Sequence, residues 1–278
     1  MSPSLEPTRS RGAGRHGLAV ALAAAALAAP GFAGAQGFAA FLAPSRFDLT
    51  IEPGKTRREV LEFHHVGTVA GKYRVSTNDW EFQRDYSVKF MDELAPDSCR
   101  PWVAIERRDL TIPPNGKYRF RFEVSVPPGT ASRECRFALM VEGQEPANVE
   151  GANLSVPVSG RVGVIVYVKV GEAAPVLVVT PAGVRDIKGA KLPMLAVSNK
   201  GNAHGRLDGF LTGKDAAGNE FEMAPENLPV MPGMDREVAI RPVAEEGRKL
   251  PDIRYPITIK GTLEWGKKRE TVEYRFLP

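Results

Sequence analysis

Cysteine and histidine are scarce in this chain, with two of the first and four of the second in 278 residues. That excludes a small disulfide-stapled scaffold and leaves little from which to build a metal site. Past residue 35 no apolar run approaches the roughly 20 residues that a membrane-spanning helix needs. No segment after that point keeps a helical periodicity either. Chemical motifs are missing too: there is no Gly-x-Ser-x-Gly elbow, phosphate loop, His-Glu-x-x-His or Asp-rich calcium loop. Charge is nearly balanced at a formal +4. The basic pairs Arg57-Arg58, Arg107-Arg108 and Lys267-Lys268 are scattered, with no basic stripe interleaved with aromatics to follow a phosphate backbone. Nucleic acid is therefore not an expected partner.

The few titratable candidates read as structure. His64 and His65 are neighbours on an expected strand, so they point to opposite faces and do not share a metal. His204 follows Gly201-Asn202-Ala203 near a turn and is expected to pack or cap locally. Asp92-Glu93 and Glu245-Glu246 fall in loop-like contexts as solvated charge. No catalytic residue, cofactor, metal or small-molecule substrate is expected, and binding through strands is the stronger reading.

What the chain does have begins with an address. Arg9, Arg11 and Arg15 precede an uncharged apolar run over residues 18–29, and Ala33-Gly34-Ala35 has the small-x-small form of a signal-peptidase site. Residues 1–35 read as a cleaved signal peptide, a retained N-terminal anchor being the alternative. Cleavage removes three Arg and one Glu, so the net charge falls from +4 to +2. The mature chain is expected to be secreted and soluble.

The most informative stretch is LSVPVSGRVGVIVYVKV, residues 154–170, in which every even position is apolar or glycine. Side chains alternate across a strand, so this is β-structure with one apolar face. At about 3.3 Å per residue a straight strand of this length would run roughly 56 Å, far beyond the usual 17–20 Å or so. Either it bends at its glycines and serves two layers, or part of its apolar row is left for something else. An uncovered strand invites pairing by another chain.

The remaining pattern is all-β. Proline (23) and glycine (27) punctuate short alternating runs. Strands are expected at 45–51, 59–65, 72–80, 87–91, 102–106, 117–126 and 136–142, with a polar loop over 143–153 before the long strand. The run 117–126 alternates most cleanly, with Tyr118, Phe120, Phe122, Val124 and Val126 on one face. About seven strands at such spacing match an immunoglobulin-like sandwich. Residues 171–175 read as a linker, and the second half repeats the style at 176–180, 193–198, 205–215, 218–223, 235–242, 256–265 and 269–276. The expected organisation is thus a signal peptide (1–35) and two immunoglobulin-like β-sandwich domains (36–170 and 171–278). In an oxidising compartment Cys99 and Cys135 are expected to pair. Closing that loop of about 37 residues would stabilise the fold by roughly 3–4 kcal/mol.

This layout resembles the periplasmic pilus-assembly (fimbrial) chaperones, two-domain proteins with immunoglobulin-like folds set at an angle. Four pieces carry the resemblance: Ser45-Arg46 at the start of the first strand, Trp80 at the end of the third, and Leu154-Ser155-Val156-Pro157-Val158 ahead of Arg161–Tyr167. The fourth is Val197-Ser198-Asn199 with the later Val230-Met231-Pro232-Gly233. The resemblance implies a periplasmic protein that captures secreted pilin-like subunits and leaves open an outer-membrane assembly platform as a further partner. It implies that Leu154, Val156 and Val158 are lent to a subunit lacking one strand, main chain to main chain. It also implies that Arg46 anchors the subunit's terminal carboxylate. The family's second anchor, a Lys, falls on Gly163 here, and Arg161, two residues away on the same face, is the candidate replacement. Pro157 removes one ladder donor within the lending strand. The rival reading is a structural or adhesive two-sandwich envelope protein with no client.

Overall fold

The computed structural model describes residues 38–83, 85–144, 147–151, 154–158, 160–243 and 253–278. The expected signal peptide lies outside them. The regular structure is almost wholly strand, with no α-helix among the described residues and a single 3-10 turn at Arg100–Trp102. The first half holds β1 (Ala40–Ala43), β2 (Arg46–Ile51), β3 (Thr56–His65), β4 (Gly71–Phe82), β5 (Val88–Met91) and β6 (Val103–Ile105). There follow β7 (Asp109–Ile112), β8 (Lys117–Ser125), β9 (Glu134–Gly143), β10 (Ala147–Gly151), β11 (Leu154–Val158) and β12 (Arg161–Val170).

These strands make an immunoglobulin-like sandwich. One sheet has the order β1-β3-β8-β6, and the facing sheet has β2-β12-β9-β4-β5, with β7 beside β4. The alternation of β8 does what its sequence demands: Phe120, Phe122 and Val124 are buried, while Lys117, Arg119 and Arg121 on the other face are exposed. From the other sheet Phe47, Phe137, Leu139, Val164, Val166 and Val168 meet them to form one core. Aromatic edges meet faces inside it, as between Phe47 and Phe122 (5.1 Å between ring centroids). His65 and His64 do face opposite ways. The buried His65 is spent on Tyr73 Oη (2.6 Å) and the Val69 carbonyl (2.7 Å).

The 154–170 alternation is divided between two strands. β12 pairs antiparallel with β9 from Arg161↔Glu142 to Lys169↔Glu134, and the ladder ends where Gly143 N donates to the Gly160 carbonyl (3.0 Å). Beyond that rung β11 pairs with β10 as a separate two-stranded ribbon, Ala147 opposite Val158. From Glu142 to Ala147 is five positions and from Val158 to Arg161 is three, so the two arms are out of step and the ribbon cannot continue the ladder. Gly160 sits at the break because Phe38 lies against it: a Cβ there would fall 2.0 Å from the Phe38 Cβ. The expected polar loop over 143–153 is corrected in part, since β10 lies within it. β1 and β7 were not expected either.

The second half contains β13 (Leu177–Ile187), β14 (Ala190–Asn199), β15 (Gly205–Arg206), β16 (Asp208–Lys214), β17 (Glu220–Pro225), β18 (Pro229–Val230), β19 (Asp235–Pro242), β20 (Ile257–Trp265) and β21 (Lys268–Phe276). Seven of these curl into one sheet in the order β13-β14-β19-β17-β16-β20-β21 around a second core that includes Leu195, Val197, Ile240, Ile259 and Phe276. Here too the sandwich follows from period-two burial, as in β16, where Gly209, Leu211 and Gly213 are buried and Asp208, Phe210 and Thr212 are exposed.

Cys99 and Cys135 are free thiols in the structure, where the sequence reading expects a disulfide; both lie in the first core.

Phe137 is fully buried where the two sheets meet. Phe137→Ala should cost about 3–5 kcal/mol through lost transfer energy and an unfilled cavity. Urea unfolding would show this as a lower midpoint at unchanged slope.

Candidate functional site

The site is built on the face of the β2-β12-β9-β4 sheet that points away from the first core. In β2 the odd positions Phe47, Leu49 and Ile51 enter the core, so Arg46 and Asp48 stand on the opposite face. Arg46 Nε donates to Asp48 Oδ2 at 2.7 Å. Strand β2 runs parallel to β12, but only from Arg46↔Ile165 to Ile51↔Val170. Above that level β12 keeps β9 on one side, and among the described residues no strand lies on the other. Residues Arg161, Val162, Gly163 and Val164 thus present an open edge about 13 Å long directly above Arg46. Val162, the outermost of the even row, is partly exposed where Val164 to Val170 are buried.

The expected subunit-binding residues fall in three places. Leu154, Val156 and Val158 lie on β11, whose backbone pairs with β10; their side chains are outside the described residues. Pro157 is opposite Asn148 in that ribbon. Arg46 is at the foot of the open edge. Arg161 is at its head, four positions from Ile165, and so is not brought together with Arg46. Its Nη2 donates to Asn78 Oδ1 (3.3 Å) and lies 3.7 Å from Asp92 Oδ1, and Asn78 Nδ2 itself donates to Asp92 (2.6 Å).

Gly163 has a steric reason. Phe90, carried on β5 opposite Trp80, lies over it, and a Cβ at 163 would fall 2.4 Å from Phe90 Cζ and 3.1 Å from Met140 Sδ. No side chain, lysine included, fits there without displacing the ring. Phe90 belongs to an apolar cluster on this face with Trp80, Met140 and Tyr167, to which Met231 and Met234 are added from the second half. Trp80 is fixed by its Nε1 donating to the Phe137 carbonyl (3.2 Å) and by an edge-to-face contact with Tyr167 (5.5 Å).

The junction between the two halves was not legible beforehand. Asn199 organises it locally: its Nδ2 donates to the carbonyls of Ala203 and Val230, and its Oδ1 accepts from Val176 and Gly201 N–H groups. That arrangement shapes the turn over 199–204 and aims two side chains at the first half. Asn202 Nδ2 donates to the Ser132 carbonyl (2.8 Å), and Glu134 N donates back to the Asn202 carbonyl (3.0 Å). His204 is buried between two carboxylates, with Nδ1 at 2.7 Å from Glu134 Oε2 and Nε2 at 3.2 Å from Asp48 Oδ1. Both ring nitrogens thus face a carboxylate oxygen. The imidazole stacks on Tyr167 with ring centroids 3.8 Å apart. Its role is therefore more than the local packing expected of it. Across the same junction Arg236 lies 3.9 Å over the Tyr86 ring.

These contacts set the electrostatics around Arg46. Desolvation works against the Asp48 carboxylate, but hydrogen bonds from His204 and Arg46 and their charge outweigh it and hold its pKa well below the ordinary range. Arg206, brought from the second half to 6.0 Å from the Tyr167 ring, is lowered by burial, and its Nε is buried without a hydrogen-bond partner. The arrangement holds an edge, an apolar face and cations in fixed relation. Among the described residues it assembles no nucleophile with an adjacent base.

No family model matches the chain, and no curated protein matches it. Solved structures do. The YadV chaperone is similar at 8% identity over 86% of this chain and 100% of that one, with a TM-score of 0.46. The Pseudomonas aeruginosa CupB2 chaperone is similar at 11% identity over 85% and 100%, with a TM-score of 0.43. The Salmonella enterica SafA pilin in complex with the SafB chaperone gives 14% identity over 87% and 98%, with a TM-score of 0.44. These likenesses are distant, and none of them decides what this chain does.

Two outcomes follow for the site. Gly163→Ala should cost about 1–3 kcal/mol by overpacking, and Phe90→Ala in the same chain should recover part of that loss in thermal melts. Asp48 has a depressed pKa when folded, so its stabilisation is complete above the ordinary aspartate value of about 3.9 and shrinks as pH falls below it. The melting gap between wild type and Asp48→Asn should accordingly be widest near neutrality and narrow in acid; a gap constant down to low pH would remove the carboxylate from this role.

Proposed function

We propose that this protein is a non-enzymatic chaperone of the periplasm that holds secreted, pilin-like subunits by strand donation. The observation that carries the reading is the open edge of β12 from Arg161 to Val164, in line with β2 and directly above Arg46. A sheet edge with unpaired N–H and C=O groups accepts an added strand, and main-chain hydrogen bonds then supply affinity while alternate side chains supply fit. A subunit strand added there would run parallel to β12 and stack end to end with β2. In this reading β11 is lent as well, from its separate ribbon, with Leu154, Val156 and Val158 recurring at period two to enter the client's open core.

Arg46 is the cation at the end of the path. A chain terminus arriving along the edge would place its carboxylate beside that guanidinium, which pairs with carboxylates bidentately. Since Phe90 excludes a side chain at Gly163, the second anchor of the fimbrial chaperones has no equivalent on this strand. Arg161, at the other end of the edge, is the client's contact there rather than a second anchor. The envelope-protein reading draws support from one feature, the pairing of β11 with β10 in its own chain, which already covers one of its two edges.

The deciding experiment is to express the tagged mature protein in the periplasm of its source cells beside Val156→Asp/Val158→Asp, and to identify by mass spectrometry what each retains. Small secreted β-rich subunits bound to the wild type and lost from the double variant are expected. The same partners on both, or none on either, would leave a structural envelope protein. With a captured subunit in hand, Arg46→Ala should weaken binding about 10- to 100-fold, the worth of a hydrogen bond to a charged group.

A further inference from the structure

Cys99 and Cys135 are buried groups that strand donation does not use. Cys135 stands on the inner face of β9 with Phe137 and Leu139, and Cys99 immediately precedes the 3-10 turn at Arg100–Trp102. They are 3% and 0% exposed, share one core cluster, and Cys135 is the neighbouring thiol that acts on Cys99. The loop that brings Cys99 there is fastened independently of the sulfurs. Ser98 Oγ donates to Asp79 Oδ1 (2.6 Å), Ala95 N donates to Asp79 Oδ2 (2.9 Å), and Arg133 Nη1 donates to the Asp97 carbonyl (3.1 Å). Since Arg133 lies just before β9 and Asp79 lies on β4, the fold delivers both thiols to one spot whether or not they are bonded.

We propose that Cys99 and Cys135 form a disulfide site that closes only while the chain is still folding, and that packing of the sandwich then seals in whichever redox state it finds. The oxidant is a small-molecule disulfide. One cysteine thiolate attacks a sulfur of that disulfide, making a mixed disulfide and releasing one thiol. The second cysteine, losing its proton, attacks the protein sulfur of the mixed disulfide, forms the Cys99–Cys135 bond and releases the second thiol. Two electrons and two protons thus pass to the oxidant. The attacking species must be a thiolate that the oxidant can reach. In the packed protein neither condition is met: both sulfurs are shut away, and burial together with the Cys135 thiol pushes Cys99 far above the ordinary thiol range. In the open chain both conditions are met.

Closure also bears on the site, because the tethered loop lies next to Asp92, whose carboxylate sits beside Arg161, and Arg100 Nη1 donates to the Asp92 carbonyl (2.9 Å). The full-length mature protein is denatured and reduced, then refolded with a mixture of reduced and oxidised glutathione; native reduced protein is held in the same mixture. Refolded monomer is expected to be lighter by two hydrogens by intact mass and to resist iodoacetamide even after denaturation. Native reduced protein is expected to keep both thiols for hours, unalkylated until denaturant is added. Glutathione adducts or two free thiols as the main refolded product would overturn the site. Closure of the native protein as fast as that of the refolding chain would overturn the sealing.

Discussion

A β-strand has two hydrogen-bonding edges, and each must find a partner strand, water or another chain. Strand β12 divides this requirement along its length. From Ile165 onward it is flanked on both sides, by β9 and β2, and its valines fill the first core. From Arg161 to Val164, among the described residues, it is flanked on one side only. Because β2 begins at Arg46, the length of the open edge and the cation at its foot are set by the same residue. Moving the start of β2 four residues earlier would cover the edge and remove the site.

An edge becomes a specific binding site only if its surroundings are held still. The outward face of the β2-β12-β9-β4 sheet gains that rigidity from the junction between the halves, where His204 is clamped by Glu134 and Asp48 and stacked on Tyr167. Asp48 serves twice, as acceptor from Arg46 and as partner of His204. The orientation of the second domain and the posture of Arg46 are therefore coupled through one carboxylate. Asp48 is partly exposed, so each of its pairs is worth less than the geometry alone suggests; the buried stacking and the methionine contacts to Trp80 and Tyr167 supply the rest.

Much of this was legible beforehand. The clean alternation of 117–126 and of 161–170 placed two core strands with the right residues inward. The break in the 154–170 run was less visible, because the pattern stays in phase through Gly160; what interrupts it is Phe38, which arrives from more than a hundred residues away. β10 reads ANVEG, too polar to announce a strand, and exists because β11 lies opposite it. Gly163 looked like a lost lysine, yet it is glycine because Phe90 occupies the space above it.

His204 marks the limit most clearly. Its local sequence suggested a turn, and the turn is there, organised by Asn199. Its two carboxylate partners are 70 and 156 positions away, on β9 and β2, which the first sandwich sets on either side of β12. The sequence by itself determined which residues face a core, since side-chain alternation is a property of neighbouring residues along one strand. Only the tertiary structure decided where an edge stays open, which charge stands at its foot and what holds the two halves together. Those depend on which strands become neighbours, and one strand's pattern does not encode its neighbour.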